Sequence, residues 1–259
     1  MTRPLEITGL TKAFGSFVAI RNFGAKIEAG EFVCILGHSG CGKSTILSIL
    51  AGLQRATLGG VCIDGKEVNT PGTDRGVVFQ TPSLLPWLTA GENVALAGGQ
   101  AFPKHNRAQR EKHACKYMEL LGIGDCYGQA PAELSLGTQQ RVSMARAMAL
   151  EPRYLLLDEP FGMLDSLTRF DLQDMLLEVW EHTRNTVVMV THDVDEALYL
   201  ADRLLLMTDG PAATLGEVMT IPFPRPRDRA AVLEHPSYYP LRSRIIDFLE
   251  GHAGQSAVA

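Results

Sequence analysis

The chain has 259 residues, 46% hydrophobic and 20% charged, long and apolar enough to bury the core of one large domain or two small lobes. Its formal charge of −5 excludes a dedicated nucleic-acid binder, which carries a basic surplus, although a few local donors still suffice to hold a phosphate. No apolar run approaches the ~20 residues of a membrane span, and Met1 to Glu6 lacks the basic and apolar regions of a signal peptide, so the chain is expected to stay in the cytoplasm.

Leu5 to Leu10 alternates with a period of two, as a half-buried strand does. Glu31 to Leu36 is a short apolar strand that runs into glycine, and Gly60 to Asp64 and Gly76 to Phe79 read as further strands between turn residues. Thr89-Ala90-Gly91-Glu92 has the spacing of a helix-starting capping box. Asn106 to Leu121 is a helix stopped by Gly122, and Gly137 to Leu150 a helix stopped by Glu151-Pro152. Tyr154 to Leu157 returns to buried strand, followed by a helix at Leu167 to His182, a strand at Thr186 to Thr191 and a helix at Val194 to Ala201. Strand alternating with helix predicts a mostly parallel sheet covered on both faces. After about Gly210 come short strands, the Pro-rich Ile221 to Arg227, a last helix at about Tyr238 to Leu249, and a small-residue tail expected to be disordered. Arg225, Arg227 and Arg229 alternate, which in an extended segment places them on one face, either solvated or meeting a partner or acidic headgroups. The five cysteines (Cys34, Cys41, Cys62, Cys115 and Cys126) include no Cys-x-x-Cys pair and suit reduced thiols.

Gly37-His38-Ser39-Gly40-Cys41-Gly42-Lys43-Ser44-Thr45 follows a buried strand and opens a helix, matching G-x-x-x-x-G-K-[ST] in the context that motif needs. Glycines let the backbone curl so that its N–H groups converge on phosphates, and the helix N-terminus adds partial positive charge. Lys43 is expected to reach the β- and γ-phosphates of ATP and the Ser44 hydroxyl to ligate Mg²⁺. Cys41 sits at that helix start, where a thiol's pKa tends to fall, so a maleimide is expected to inactivate the protein and MgATP to protect it. Downstream, the apolar Tyr154 to Leu157 ends in Asp158 and Glu159. A strand-end Asp is the second nucleotide motif and holds Mg²⁺, while Glu159, pointing to the other face, is the expected general base for the attacking water.

Leu134-Ser135-Leu136-Gly137-Thr138-Gln139-Gln140-Arg141 resembles the signature of the ATP-binding-cassette family, Leu-Ser-Gly-Gly followed by a Gln-rich helix start. Other positions then resemble family landmarks in order: Gln80 the Q-loop glutamine, a further contact to Mg²⁺, Asp165 in Phe161 to Asp165 the D-loop acid, and His192 in Thr191-His192-Asp193 the switch histidine. Phe14, in Lys12-Ala13-Phe14-Gly15, stands where the family stacks a ring on adenine. The resemblance implies an α/β P-loop NTPase with a mostly parallel sheet core, an N-terminal antiparallel β subdomain and an inserted helical subdomain. Its expected bounds are an ATPase domain over 3–230, with a catalytic lobe at about 3–85 and 151–220, a helical lobe at about 86–150, and a C-terminal helix and tail over 231–259. It also implies a second cassette, identical or homologous, packed head to tail so that Ser135 and the N–H groups around Gly137 meet ATP held by the partner. Transmembrane permease subunits and, indirectly, a periplasmic binding protein complete the assembly at the cytoplasmic face of a bacterial inner membrane. Leu136 and Thr138 depart from the family pattern, which keeps open a catalytically weak, ATP-sensing subunit.

Thr81 to Thr89, with its Leu-Leu-Pro-Trp-Leu-Thr, reads as an apolar dock for a permease helix or as packing between lobes, and resembles the nitrate, taurine and sulfonate import branch. Met207 to Glu217 and Pro224 to Arg229 look closest to its nitrate members, with sulfonate or taurine, cyanate and bicarbonate as alternative cargoes. A small-molecule P-loop kinase has no need of the signature, D-loop and switch histidine in this order. A DNA-repair or translation cassette brings long coiled-coil insertions or a second cassette that this sequence lacks.

Overall fold

The computed structural model describes residues 4–252, so the expected domain start at Arg3 and the expected tail beyond residue 252 lie outside the described residues. In chain order the elements are β1 (Leu5–Phe14), β2 (Phe17–Ile27), β3 (Phe32–Leu36), α1 (Lys43–Leu50), β4 (Leu58–Ile63), β5 (Lys66–Glu67) and β6 (Arg75–Val78). They continue with α2 (Ala90–Ala101), α3 (Arg107–Leu120), α4 (Leu136–Met148), β7 (Tyr154–Asp158), α5 (Ser166–Thr183), β8 (Thr186–Thr191) and α6 (Val194–Leu200). Last come β9 (Arg203–Met207), β10 (Leu215–Thr220), α7 (Arg229–Glu234) and α8 (Tyr238–His252). Two compact units result, one formed by the chain up to Pro71 and from Thr186 on, the other by Gly72–Asn185.

The first unit holds two kinds of strand, and their burial explains the difference. Leu5 and Ile7 of β1 are buried while Glu6 and Thr8, which follow each of them, are exposed, the alternation of a sheet with one wet face. β1 pairs antiparallel with β2 and with β4, and β5 continues from β4. β3 and β8, by contrast, are buried along their whole length, as strands covered on both faces must be. β3 lies parallel between β8 and β9, and β10 closes that edge antiparallel to β9. α1 packs on β8, and α6 on β3 and β8. β2 and β9 go beyond the elements read from sequence: Arg21-Asn22 and Gly24 break the apolar alternation of β2, and β9 follows α6 with no turn signal.

In the second unit β6 lies parallel beside β7, and α4 packs on β6, α2, α3 and α5. The capping box read at Thr89 is present: Thr89 Oγ1 accepts from Glu92 N at 3.2 Å, and Glu92 Oε2 accepts from Thr89 N at 2.9 Å. α3 starts on the same device, with Asn106 and Gln109 exchanging bonds of 2.9 and 2.8 Å. It ends where Gly122 takes a φ of +65°, as expected.

The three alternating arginines are neither solvated nor displayed, which corrects the expectation for them. Arg227 is buried and donates to the carbonyls of Leu198 (3.0 Å), Tyr199 (3.2 Å) and Ala201 (2.8 Å), groups at the end of α6 that have no partner within the helix. Burial, then the neighbouring Arg225, lowers its pKa to about 10. Arg225 binds the Asp202 carboxylate at 2.8 Å, whose other oxygen accepts from Phe32 N at the start of β3 (3.0 Å). Arg229 stacks its guanidinium 3.9 Å from the centroid of the Tyr199 ring. Alternation in sequence gave a common face; a helix end in need of donors decided what that face meets. Arg227→Met should therefore destabilise the chain by about 2–3 kcal/mol, as loss of charged hydrogen bonds to buried carbonyls does, in denaturant unfolding. A change below ~0.5 kcal/mol, the usual effect of a surface substitution, would contradict this role.

Candidate functional site

In the first unit the loop after β3 is shaped by two left-handed glycines, Gly40 at φ +84° and Gly42 at +96°. Gly42 is the N-cap of α1, and a Cβ there would lie 2.8 Å from Ile20 Cγ1 of β2, so no larger residue fits. No side chain caps this helix start and no acid stands in its first turn, which leaves its N–H groups and partial positive charge for an anion. Lys43 is buried, and its Nζ donates to the loop carbonyls of Gly37 (2.7 Å) and His38 (2.8 Å). His38 Nδ1 lies 2.8 Å from Asp209 Oδ1, a contact that sequence spacing gave no means of finding. Ser39 and Ser44 are exposed, and Thr45 is half-buried.

Cys41 corrects a second expectation. Its side chain is only 2% exposed, and burial pushes the thiol above its ordinary range, with the Lys43 charge offsetting part of the rise. The helix terminus is real, but desolvation of the thiolate outweighs it.

Phe14 ends β1 directly opposite Phe17 of β2; both rings are about half exposed, and Lys12 Nζ stands 5.0 Å from the centroid of Phe14. His192 is exposed on the corner between β8 and α6. Two bonds fix that corner: Thr191 Oγ1 donates to Glu196 Oε2 (2.6 Å), and Asp193 Oδ1 accepts from Glu196 N (3.0 Å). Glu196 was not singled out from sequence, where it reads as one more acid on a helix.

The second unit carries the other predicted residues. β7 is buried up to Leu157 and delivers Asp158, half-buried, to its end. Glu159 follows with φ +44°, a left-handed backbone that a non-glycine residue rarely adopts and that clusters at functional sites. Gln80, two residues past β6, donates from Nε2 to Glu159 Oε2 at 3.2 Å, so these two predicted residues do meet. Asp165 is the N-cap of α5, accepting from Thr168 N at 3.1 Å. The Thr168 hydroxyl and then its N–H hold the Asp165 carboxyl below the usual range.

Ser135 caps α4, its Oγ accepting from Thr138 N (3.1 Å) and lying 2.9 Å from Thr138 Oγ1. Leu136 is the first residue of that helix and exposed, without the left-handed backbone that would strain it. Gly137 is different: a Cβ there would lie 2.6 Å from Thr168 Cγ2. A side chain at residue 137 would therefore force Thr168 to shift, whereas Leu136 sits in a backbone conformation that any residue adopts. Trp87 is 75% exposed on a short turn held from beneath by Asn93, which accepts from Leu85 N and donates to the carbonyls of Leu85, Leu88 and Thr89.

Residues 20–162 match the family model described as ABC transporter. A nitrate import ATP-binding protein of Synechococcus elongatus is 50% identical over 235 residues, covering 91% of this chain and 86% of that protein. A bicarbonate transport ATP-binding protein of Synechocystis sp. is 46% identical over 259 residues, covering 98% and 92%. Among solved structures, a dimeric ATP-binding cassette in a post-hydrolysis state with ADP and Pi is 33% identical, with a TM-score of 0.74 over 85% of this chain and 99% of that one.

The burial of Cys41 sets a prediction. Maleimide at neutral pH should label half-buried Cys62, Cys115 and Cys126 at least about tenfold faster than Cys41, as read by peptide mass mapping. Labelling of Cys41 first would mean that the loop opens far more than its packing indicates.

Proposed function

Because the chain belongs to the ABC transporter family, we propose that it is the ATP-hydrolysing subunit of an importer whose cargo is nitrate. The observation that carries the cargo is the 50% identity with the nitrate import protein along nearly the full length of both chains. Bicarbonate is the second reading, favoured by the 46% identity that extends over 98% of this chain. Cargo never touches such a subunit. The resembling stretch Pro224 to Arg229 supports kinship only, since its arginines serve the end of α6.

The residues fit ATP. An uncapped helix start, glycines at φ +84° and +96°, and a buried ammonium poised on the loop are what a triphosphate needs. On this reading Gly37 to Thr45 cradle the phosphates, Lys43 neutralises the β/γ oxygens, and Phe14 carries the adenine. Hydroxyl and carboxylate oxygens suit a hard cation, so Ser44 and Asp158, with Gln80, are the proposed Mg²⁺ residues. Bound Mg²⁺ supplies charge neutralisation at the phosphates. Glu159 takes the proton of the attacking water, Gln80 holds its carboxylate, and His192 stands by the γ-phosphate from its fixed corner. Ser135, Gly137 and Asp165 face a second cassette, identical or homologous, with α2, α3 and α4 forming the helical lobe. Trp87 and its rigid turn are the proposed dock for a permease at the cytoplasmic face of a bacterial inner membrane, a periplasmic binding protein serving the same complex from the far side. The described residues contain no helix long and apolar enough to cross a membrane. Against the weak-subunit reading, which rests on Leu136 and Thr138, stands the ordinary helix-entry backbone at Leu136.

Two measurements test this. Glu159→Gln should bind MgATP normally and lower single-turnover hydrolysis by about 10²–10⁴, the usual worth of a general base. Lys43→Ala should lose binding itself. Hydrolysis at the parent rate in Glu159→Gln would remove the base assignment. For the cargo, a strain without this chain should lose nitrate uptake and keep bicarbonate uptake; the opposite pattern would make bicarbonate the cargo.

A further inference from the structure

Gln140, five residues after Ser135 on α4, is 1% exposed and spans two strand ends. Its Nε2 donates to the carbonyl of Pro160 at 2.9 Å and to that of Phe79 at 3.2 Å. Pro160 follows Glu159 and Phe79 precedes Gln80, so one carboxamide holds the backbone beside each member of the Gln80–Glu159 pair. Both of its N–H donors are used, whereas its Oε1 is buried with no hydrogen-bond partner. What the carboxamide contributes in hydrogen bonds here comes from its two donors, and they offset the cost of the unpaired acceptor. The far side of the same loop is held by the same helix: Arg146 donates to the carbonyls of Ser83 (2.8 Å) and Pro82 (3.2 Å). Glu159 has the left-handed backbone described above, a conformation that persists only where its surroundings enforce it.

We propose that Gln140 is a positioning residue for hydrolysis. It sets the separation and aim of Gln80 and Glu159 by fixing the carbonyls of Phe79 and Pro160, and Arg146 anchors the loop beyond. The signature helix α4 is thereby tied to the base that acts on nucleotide, so displacement of Ser135 at one end of the helix reaches Glu159 through Gln140. The inference rests on the reading of Glu159 as the general base.

The test compares kcat and KM for MgATP, with melting temperature, in the full chain assembled with its permease, for the wild type, Gln140→Met and Gln140→Glu. Gln140→Met keeps the length and loses both donors; kcat should fall about 10–100-fold, as small misplacements of catalytic groups do, with KM within about threefold. Gln140→Glu as a carboxylate turns acceptors on two carbonyls, but on protonation regains one donor. Its rate relative to wild type should therefore rise as the pH is lowered from about 8.5 toward 5.5, across the titration of a carboxyl raised by burial. A Met variant within twofold of the wild-type kcat, or kcat and KM falling together with the melting temperature, would overturn the proposal. If the Met variant does not fold, the Glu variant decides alone, and a flat ratio to wild type across pH overturns it. A wild-type complex that does not hydrolyse MgATP would instead overturn the function reading, and this inference with it.

Discussion

A backbone carbonyl at the end of a strand or helix has no partner within its element, and the functional loops of this protein are shaped by the long side chains that donate to such groups. Lys43 serves the carbonyls of Gly37 and His38, Gln140 those of Phe79 and Pro160, Arg146 those of Pro82 and Ser83. Asn93 does the same beneath Trp87, and Arg227 at the end of α6. Each bond contributes only about 1 kcal/mol net, or ~1.5–3 where the donor is charged, but leaving a buried carbonyl unpaired costs as much again. The loops are therefore held by polar contacts at points rather than by burial along their length.

That has consequences for chemistry. An ammonium has three donors, and Lys43 has two of them on the loop's own carbonyls. The cation is thus kept in place by groups that do not compete for its charge, and a phosphate oxygen adds to the arrangement instead of creating it. The same economy of movement applies to Glu159, whose backbone is in an uncommon conformation while its side chain already meets Gln80. Preorganised groups of this kind lower a barrier because little has to be rearranged when charge develops.

Much of this was legible in the sequence where one local rule acts. The phosphate loop, the Thr89 capping box, the Gly122 stop and the β8 strand follow from spacing and side-chain type over fewer than about ten residues. What escaped depends on partners distant in the chain. Cys41 looked acidic from its helix start, yet it is buried, with Gly210 lying beside its backbone. Arg227 looked solvated, yet the end of α6 lies against it, 26 to 29 residues back. Gln140 read as part of a Gln-rich run, and only the fold sets it against residues 61 and 20 positions away. β2 was missed for a related reason: its pairing with β1 contains register shifts, so its side chains do not alternate as a regular strand's do.

The signature departure shows how the two levels are joined. By sequence alone, leucine in place of glycine at position 136 is either strain or nothing, depending on a backbone angle that spacing cannot supply. The structure puts Leu136 at the first turn of α4, where a left-handed conformation would break the helix and is absent. One residue on, a Cβ at Gly137 would press into Thr168, the residue whose N–H and hydroxyl hold Asp165. A side chain at 137 would therefore disturb two predicted site residues at once, the N–H groups at the start of α4 and the carboxylate that caps α5. The pressure against a side chain thus comes from the neighbouring helix and falls on residue 137, while Leu136 carries its apolar side chain outward. Two adjacent positions therefore differ physically, one crowded by Thr168 and one open.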